Sequence, residues 1–90
     1  MQGNEIRQVE TMVEKALAKM HDHDISGALE ELLQAAEMEP ENVRIINLIG
    51  SGYLILGEFD RARACWEMVL RIDEGNTDAS NRLEACTAPA

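Results

Sequence analysis

Apolar side chains recur along this chain at intervals of three and four residues. Val9, Met12, Val13, Ala16, Leu17 and Met20 make one such stripe, and Ala28, Leu29, Leu32, Leu33, Ala35 and Ala36 make a second. From Val43 to Leu56 the chain is apolar around most of a helical circumference, through Ile45, Ile46, Leu48, Ile49, Tyr53, Leu54 and Ile55. A fourth stripe is Ala62, Cys65, Trp66, Val69, Leu70 and Ile72, and a short fifth runs through Ala79, Leu83 and Cys86. This is the period of an amphipathic helix, and no stretch alternates apolar and polar as a half-buried strand does. The pattern predicts helices near 5–21, 25–38, 42–56, 59–72 and 77–86. The third, apolar nearly all round, should be covered on more than one side.

The residues between the stripes are those that begin and end helices. Asp24, Asn42 and Asn76 stand where a side-chain oxygen can accept the free amides of a first turn. Pro40 disfavours helix at Glu39 and removes a donor. Gly57 and Gly75 lie where a left-handed residue would close the third and fourth helices. Such short connections make sequential helices antiparallel neighbours.

The phase repeats. Asn42 and Asn76 are 34 residues apart, as are Ala28 and Ala62, and Val9 and Val43. A helical hairpin recurring at this period is a solenoid signature. In residues 43–76 the run Ile46, Ile49-Gly50, Tyr53, Ala62, Trp66 resembles the tetratricopeptide repeat, with Gly57-Glu-Phe-Asp-Arg-Ala62 as its inter-helix turn. Residues 9–42 resemble it more loosely, through Ala16, Ala28 and Pro40. Leu32 replaces an aromatic, Glu74 stands where the second unit should close on Pro, and Lys15 and Lys19 occupy positions the family gives to Leu and Tyr. A one-residue shift of the first helix, with a turn one residue shorter, would move both lysines toward water. It would place Val13, Ala16, Leu17 and Met20 inward and turn Glu14, Ala18, His21 and Asp22 to the groove. The unshifted register would line the groove with Glu10, Val13, Leu17 and Met20. The shifted register is the one favoured here.

The resemblance implies an all-α fold in which residues 1–90 form one domain. Two stacked antiparallel hairpins (9–42 and 43–76) and a capping helix at 77–86 would make a short right-handed solenoid. Gly50, Ala16, Ala28 and Ala62 would allow close helix approach. Tyr53, Phe59 and Trp66, the only aromatics, should serve the core.

Charge narrows the functional classes. Acidic residues number 17 against 8 basic, a net charge of −9. That disfavours nucleic acid and anionic membranes, which need clustered Lys/Arg. No apolar run approaches the roughly 18 residues of a membrane span. Two cysteines, Cys65 and Cys86, make no disulfide framework, and no leader-like segment opens the chain, so a reducing cytoplasm is the expected compartment. Cys65 reads as a structural thiol. His21-Asp22-His23-Asp24 offers imidazole and carboxylate, but a polar turn ending in a helix cap accounts for it without a metal. No nucleophile–base pairing is visible, so no catalytic residue, cofactor or metal site is expected, and the chain should not be an enzyme.

Members of the family hold a peptide or helix in the concave groove made by the first helices of successive hairpins. Carried onto this chain, that groove is lined by Arg44, Asn47, Leu48, Ser51, Leu54 and Ile55, with Arg82 from the last helix. The clamp with which well-known members grip a chaperone C-terminal carboxylate is mostly missing. Leu48 replaces its Asn, and of Asp78 and Arg82 only Arg82 has the required charge. The resemblance therefore implies an adaptor for a protein or peptide partner with apolar anchors and Lys/Arg flanks. The alternative is a self-associating unit that buries its apolar faces in a homo-oligomer.

Overall fold

The computed structural model describes residues 2–87, and the side chains of 7–86. Five helices follow one another: α1 (Gln2–His21), α2 (Ile25–Met38), α3 (Val43–Ile55), α4 (Phe59–Ile72) and α5 (Thr77–Thr87). Packing is between sequential helices, α1 on α2, α2 on α3, α3 on α4 and α4 on α5. The result is an elongated all-α slab of 46 × 30 × 16 Å. No described residue is in a strand. No helix among the described residues is long and apolar enough to cross a membrane.

Helix ends follow from the punctuation. Asp24 Oδ1 accepts the Gly27 amide at 3.0 Å, Asn42 Oδ1 the Ile45 amide at 3.2 Å, and Asn76 Oδ1 the Ala79 amide at 2.9 Å. Each satisfies a first-turn donor that has no partner inside the helix. Glu39, ahead of Pro40, is extended (φ −134°, ψ 75°) and stops α2. Asp73 does the same for α4 (φ −139°, ψ 91°), although Glu74 rather than Pro follows it.

The period is carried in the backbone itself. The amides of Asp22, His23 and Asp24 donate to the carbonyls of Ala18, Met20 and Lys19, and the amides of Leu56, Gly57 and Glu58 donate to those of Gly52, Leu54 and Tyr53, each 34 residues on. His23 (φ 66°) and Gly57 (φ 79°) are the left-handed residues of the two turns. This overturns the shifted register. Both turns have three residues, so Ala16 holds the place of Gly50, Lys15 points to water, and Lys19 stands where Tyr53 stands. Lys19 is accommodated because its long stem lets the ammonium reach Glu31 Oε1 on α2 at 3.4 Å. Leu17, inward in the shifted register, is 38% exposed.

Two further expectations are corrected. Gly75 does not adopt the left-handed conformation. The extended Asp73 already ends α4, so no left-handed residue is needed there. Phe59 is 54% exposed rather than part of the core. The buried stripe of α4 (Ala62, Trp66, Val69) starts one turn later, so the first residue of that helix extends past it.

The core is continuous but uneven. Val9, Val13, Ala16, Ala28, Leu29, Leu32, Ala35, Ile45 and Ile49 form one cluster across α1, α2 and α3. Ile46, Val69 and Ala79 tie α3, α4 and α5. Trp66 is fully buried, and its ring occupies the space that a side chain at Gly50 would need.

Candidate functional site

Helix α3 has two working faces. At 3.6 residues per turn, Arg44, Asn47, Leu48, Ser51, Leu54 and Ile55 fall within about 120° of arc. All six are exposed or half-exposed, although they lie on the central helix of the molecule. Leu54 is 36% and Ile55 62% exposed, while Leu48 is half-buried against the first core cluster. The residues that α3 buries, Ile45, Ile46, Ile49, Gly50 and Gly52, are on the rest of the circumference. The predicted groove residues of α3 thus share one side, less covered than the other, with Leu48 at its packed edge.

Two of the seven predicted residues are unusual. The Asn47 Oδ1 is buried without a hydrogen-bond partner. A buried acceptor left unpaired costs about 1–3 kcal/mol. Arg82, the seventh predicted residue, is already engaged. Its Nε donates to Asp78 Oδ2 at 3.0 Å, and its guanidinium lies 5.4 Å from the centre of the Trp66 ring. A cation neutralised by a neighbouring carboxylate and stacked on a core indole is poorly placed to capture a peptide carboxylate. In α1, Glu10 and Leu17 are exposed and Met20 is half-buried, whereas Val13 is in the core.

The His21–Asp24 turn is used structurally: Asp24 caps α2 and His23 takes the left-handed position. Among the described residues, no three His, Cys, Asp or Glu side chains converge as metal ligands would.

A feature that the groove reading did not anticipate lies across α3. Leu33 and Ala36 from α2, Pro40 just beyond it, and Arg61, Ala64, Cys65 and Met68 from α4 flank an open cleft of about 510 Å³, floored by Ile46, Ile49 and Tyr53 of α3. The floor points roughly 190° around the helix from the predicted groove side. Leu33 and Met68 are 44% and 42% exposed. Arg61 is the one charged residue in the lining, 5.6 Å over the Tyr53 ring and 3.5 Å from Glu58 Oε1. Partial burial pushes the Cys65 thiol above its ordinary pKa, which slows its reactions relative to a free thiol. The sequence carried a trace of this cleft. Leu33 is a large apolar residue of the second stripe, which periodicity alone assigns to the core, and Met68 lies outside the fourth stripe altogether.

No family model matches the sequence. No curated protein matches it. Solved structures do. The first TPR of Spaghetti (RPAP3), bound to the HSP90 peptide SRMEEVD, aligns with a TM-score of 0.81 at 18% identity, covering 89% of this chain. This chain spans 64% of the length of that one. With its 34-residue backbone period and the Gly50–Trp66 contact, this chain has the fold of a tetratricopeptide-repeat domain.

Proposed function

We propose that this chain is a protein-interaction module, not an enzyme, that holds a peptide or amphipathic helix along the α3 side bearing Leu48, Leu54 and Ile55, with Arg44, Asn47, Ser51 and Arg82 around it. The observation that carries the reading is that side itself: on the central helix, Leu48, Leu54 and Ile55 share an arc of about 120° with Arg44, Asn47 and Ser51, and Leu54 and Ile55 are 36% and 62% exposed. The likeness to a chain that binds an HSP90 peptide supports it. The ligand chemistry should differ, however. SRMEEVD carries three carboxylate side chains, whereas this groove offers Leu and Ile and an Arg82 already paired with Asp78. On a chain of net charge −9, a segment with apolar anchors and Lys/Arg flanks is the complementary partner.

Fluorescence anisotropy with two labelled peptides tests this. A peptide with Leu anchors and Lys flanks should bind at least about tenfold more tightly than SRMEEVD, a difference of about 1.4 kcal/mol. Leu48→Glu combined with Leu54→Glu should abolish that binding and leave the helical circular dichroism unchanged. Equal or tighter binding of SRMEEVD, or full binding by the double variant, would refute the reading.

Self-association is a second reading, favoured by one observation. Leu54, Ile55, Leu56 and Phe59, at the α3–α4 turn, are 36, 62, 43 and 54% exposed. Sedimentation over a concentration series decides it: a monomer at every concentration excludes it.

A further inference from the structure

The cleft between α2 and α4 lies on the side of α3 opposite the predicted groove and takes no part in the function just proposed. Its floor and flanks are apolar, and its volume of about 510 Å³ is that of a ligand-sized site. Along α4 it runs from Arg61 to Met68, about 10 Å, or two helical turns. Its two edges differ in charge. Helix α2 has no Lys or Arg, and Glu30 and Glu37, one turn either side of the exposed Leu33, are exposed, as is Glu41 just beyond the helix. None of these three takes part in the ion pairs found among the described residues, which join Lys19 to Glu31, Arg61 to Glu58, Arg63 to Asp60 and Arg82 to Asp78. On α4 the outer row is mixed, with Asp60, Glu67 and Arg71.

We propose that this cleft is a second docking site, which takes a short amphipathic helix of a partner protein with aliphatic side chains on one face and Lys/Arg along the edge beside α2. Each part of that chemistry has a reason. The floor and flanks require aliphatic anchors at helical spacing, two turns long. The occupant is a helix because both walls are helices whose backbone groups are satisfied internally. An extended segment would find no backbone partners there and would bury its own amides unpaired, whereas a helix brings its hydrogen bonds with it. The basic edge follows from Glu30, Glu37 and Glu41, a row of carboxylates outside the ion pairs found among the described residues, while the cation on the facing wall, Arg61, is paired with Glu58. The same row argues against a second copy of this chain seated α2 on α2, because that contact would concentrate like charge.

Cys65 in the cleft and Cys86 on α5 supply the assay, since only Cys65 lines the site. The probes are two synthetic helical peptides of about three turns. Both carry Leu along one face. One has Lys along the adjacent edge and the other has Glu. Iodoacetamide labelling is followed by mass spectrometry at low salt, where surface charge is least screened. The Lys-edged peptide should slow alkylation of Cys65 several-fold and leave Cys86 unchanged, and the Glu-edged peptide should give no protection. Glu30→Lys with Glu37→Lys should reverse that preference, and both positions are exposed, so the fold should hold. Leu33→Glu with Met68→Glu should abolish protection. Leu48→Glu with Leu54→Glu should keep it, which separates this site from the groove. Equal protection by both peptides overturns the proposal, because it reduces the site to unspecific apolar contact. Protection lost in the Leu48/Leu54 variant and kept in the Leu33/Met68 variant also overturns it. So does Cys65 protection that grows with protein concentration in the absence of peptide, because a second copy then fills the cleft. The two-peptide comparison on the unaltered chain needs no variant to fold.

Discussion

At the scale of single residues the fold turns on the absence of a methyl group. A Cβ at Gly50 would sit 2.5 Å from Trp66 Cη2 and 2.8 Å from two further ring carbons. An indole held in the core cannot withdraw as the end of a flexible chain can. The smallest substitution should therefore act as overpacking. Gly50→Ala is expected to destabilise the chain by about 1–3 kcal/mol, even though alanine favours helix. Combined with Trp66→Phe, which shortens the ring system, the penalty should be clearly less than the sum of the single effects, as contacting residues require. Urea unfolding of the four proteins gives the cycle, and strict additivity would show that the ring is not what Gly50 accommodates. The sequence marked Gly50 as a close-approach position and Trp66 as a core aromatic, but not that the two meet. Nor did it show the fate of Phe59. An aromatic at the start of a helix reads as core until the position of the first buried turn is known.

At the scale of elements the helix bounds were readable because their signals are local: a carboxylate or carboxamide three residues before an amide it can accept, and a proline after an extended residue. The register of α1 was misread for the same reason. Lys15 and Lys19 look misplaced when helices are judged singly, and only the turn geometry shows that α1 and α3 end in phase. His23 and Gly57, equivalent left-handed residues, allow a direct test. A side chain in this conformation costs about 1–2 kcal/mol, partly offset by glycine's greater freedom when unfolded. His23→Gly should therefore stabilise the chain by about 0.5–1 kcal/mol. Gly57→Ala should destabilise it by a similar amount, and purely through the backbone, because no atom lies within 4 Å of the added Cβ. Shifts of the urea midpoint at constant m-value check both. A destabilised His23→Gly would mean that the imidazole makes a contact outweighing the strain.

At the scale of the whole molecule, stability should fall off toward one end. The first core cluster joins three helices through nine buried side chains, whereas Ala79 is the one fully buried side chain among the described residues of α5. Arg82 adds its stacking on Trp66, worth about 0.5–1 kcal/mol at a part-exposed site. Amides of α5 should therefore exchange through local opening well before those of α2 and α3. Uniform protection across all five helices would show that the slab unfolds as one unit. The sequence by itself determined the five helices, the N-caps Asp24, Asn42 and Asn76, the antiparallel order and the 34-residue phase, because periodicity, capping and turn chemistry act over a few residues of chain. It also assigned the α3 residues to one side, since helical geometry fixes that without reference to neighbours. Only the structure decided the register of α1, the stacking of Arg82 on Trp66, the exposure of Phe59, and the cleft behind α3. The register followed from the turn before α2; the other three depend on how helices pack on one another, which is set by contacts between residues distant in the chain.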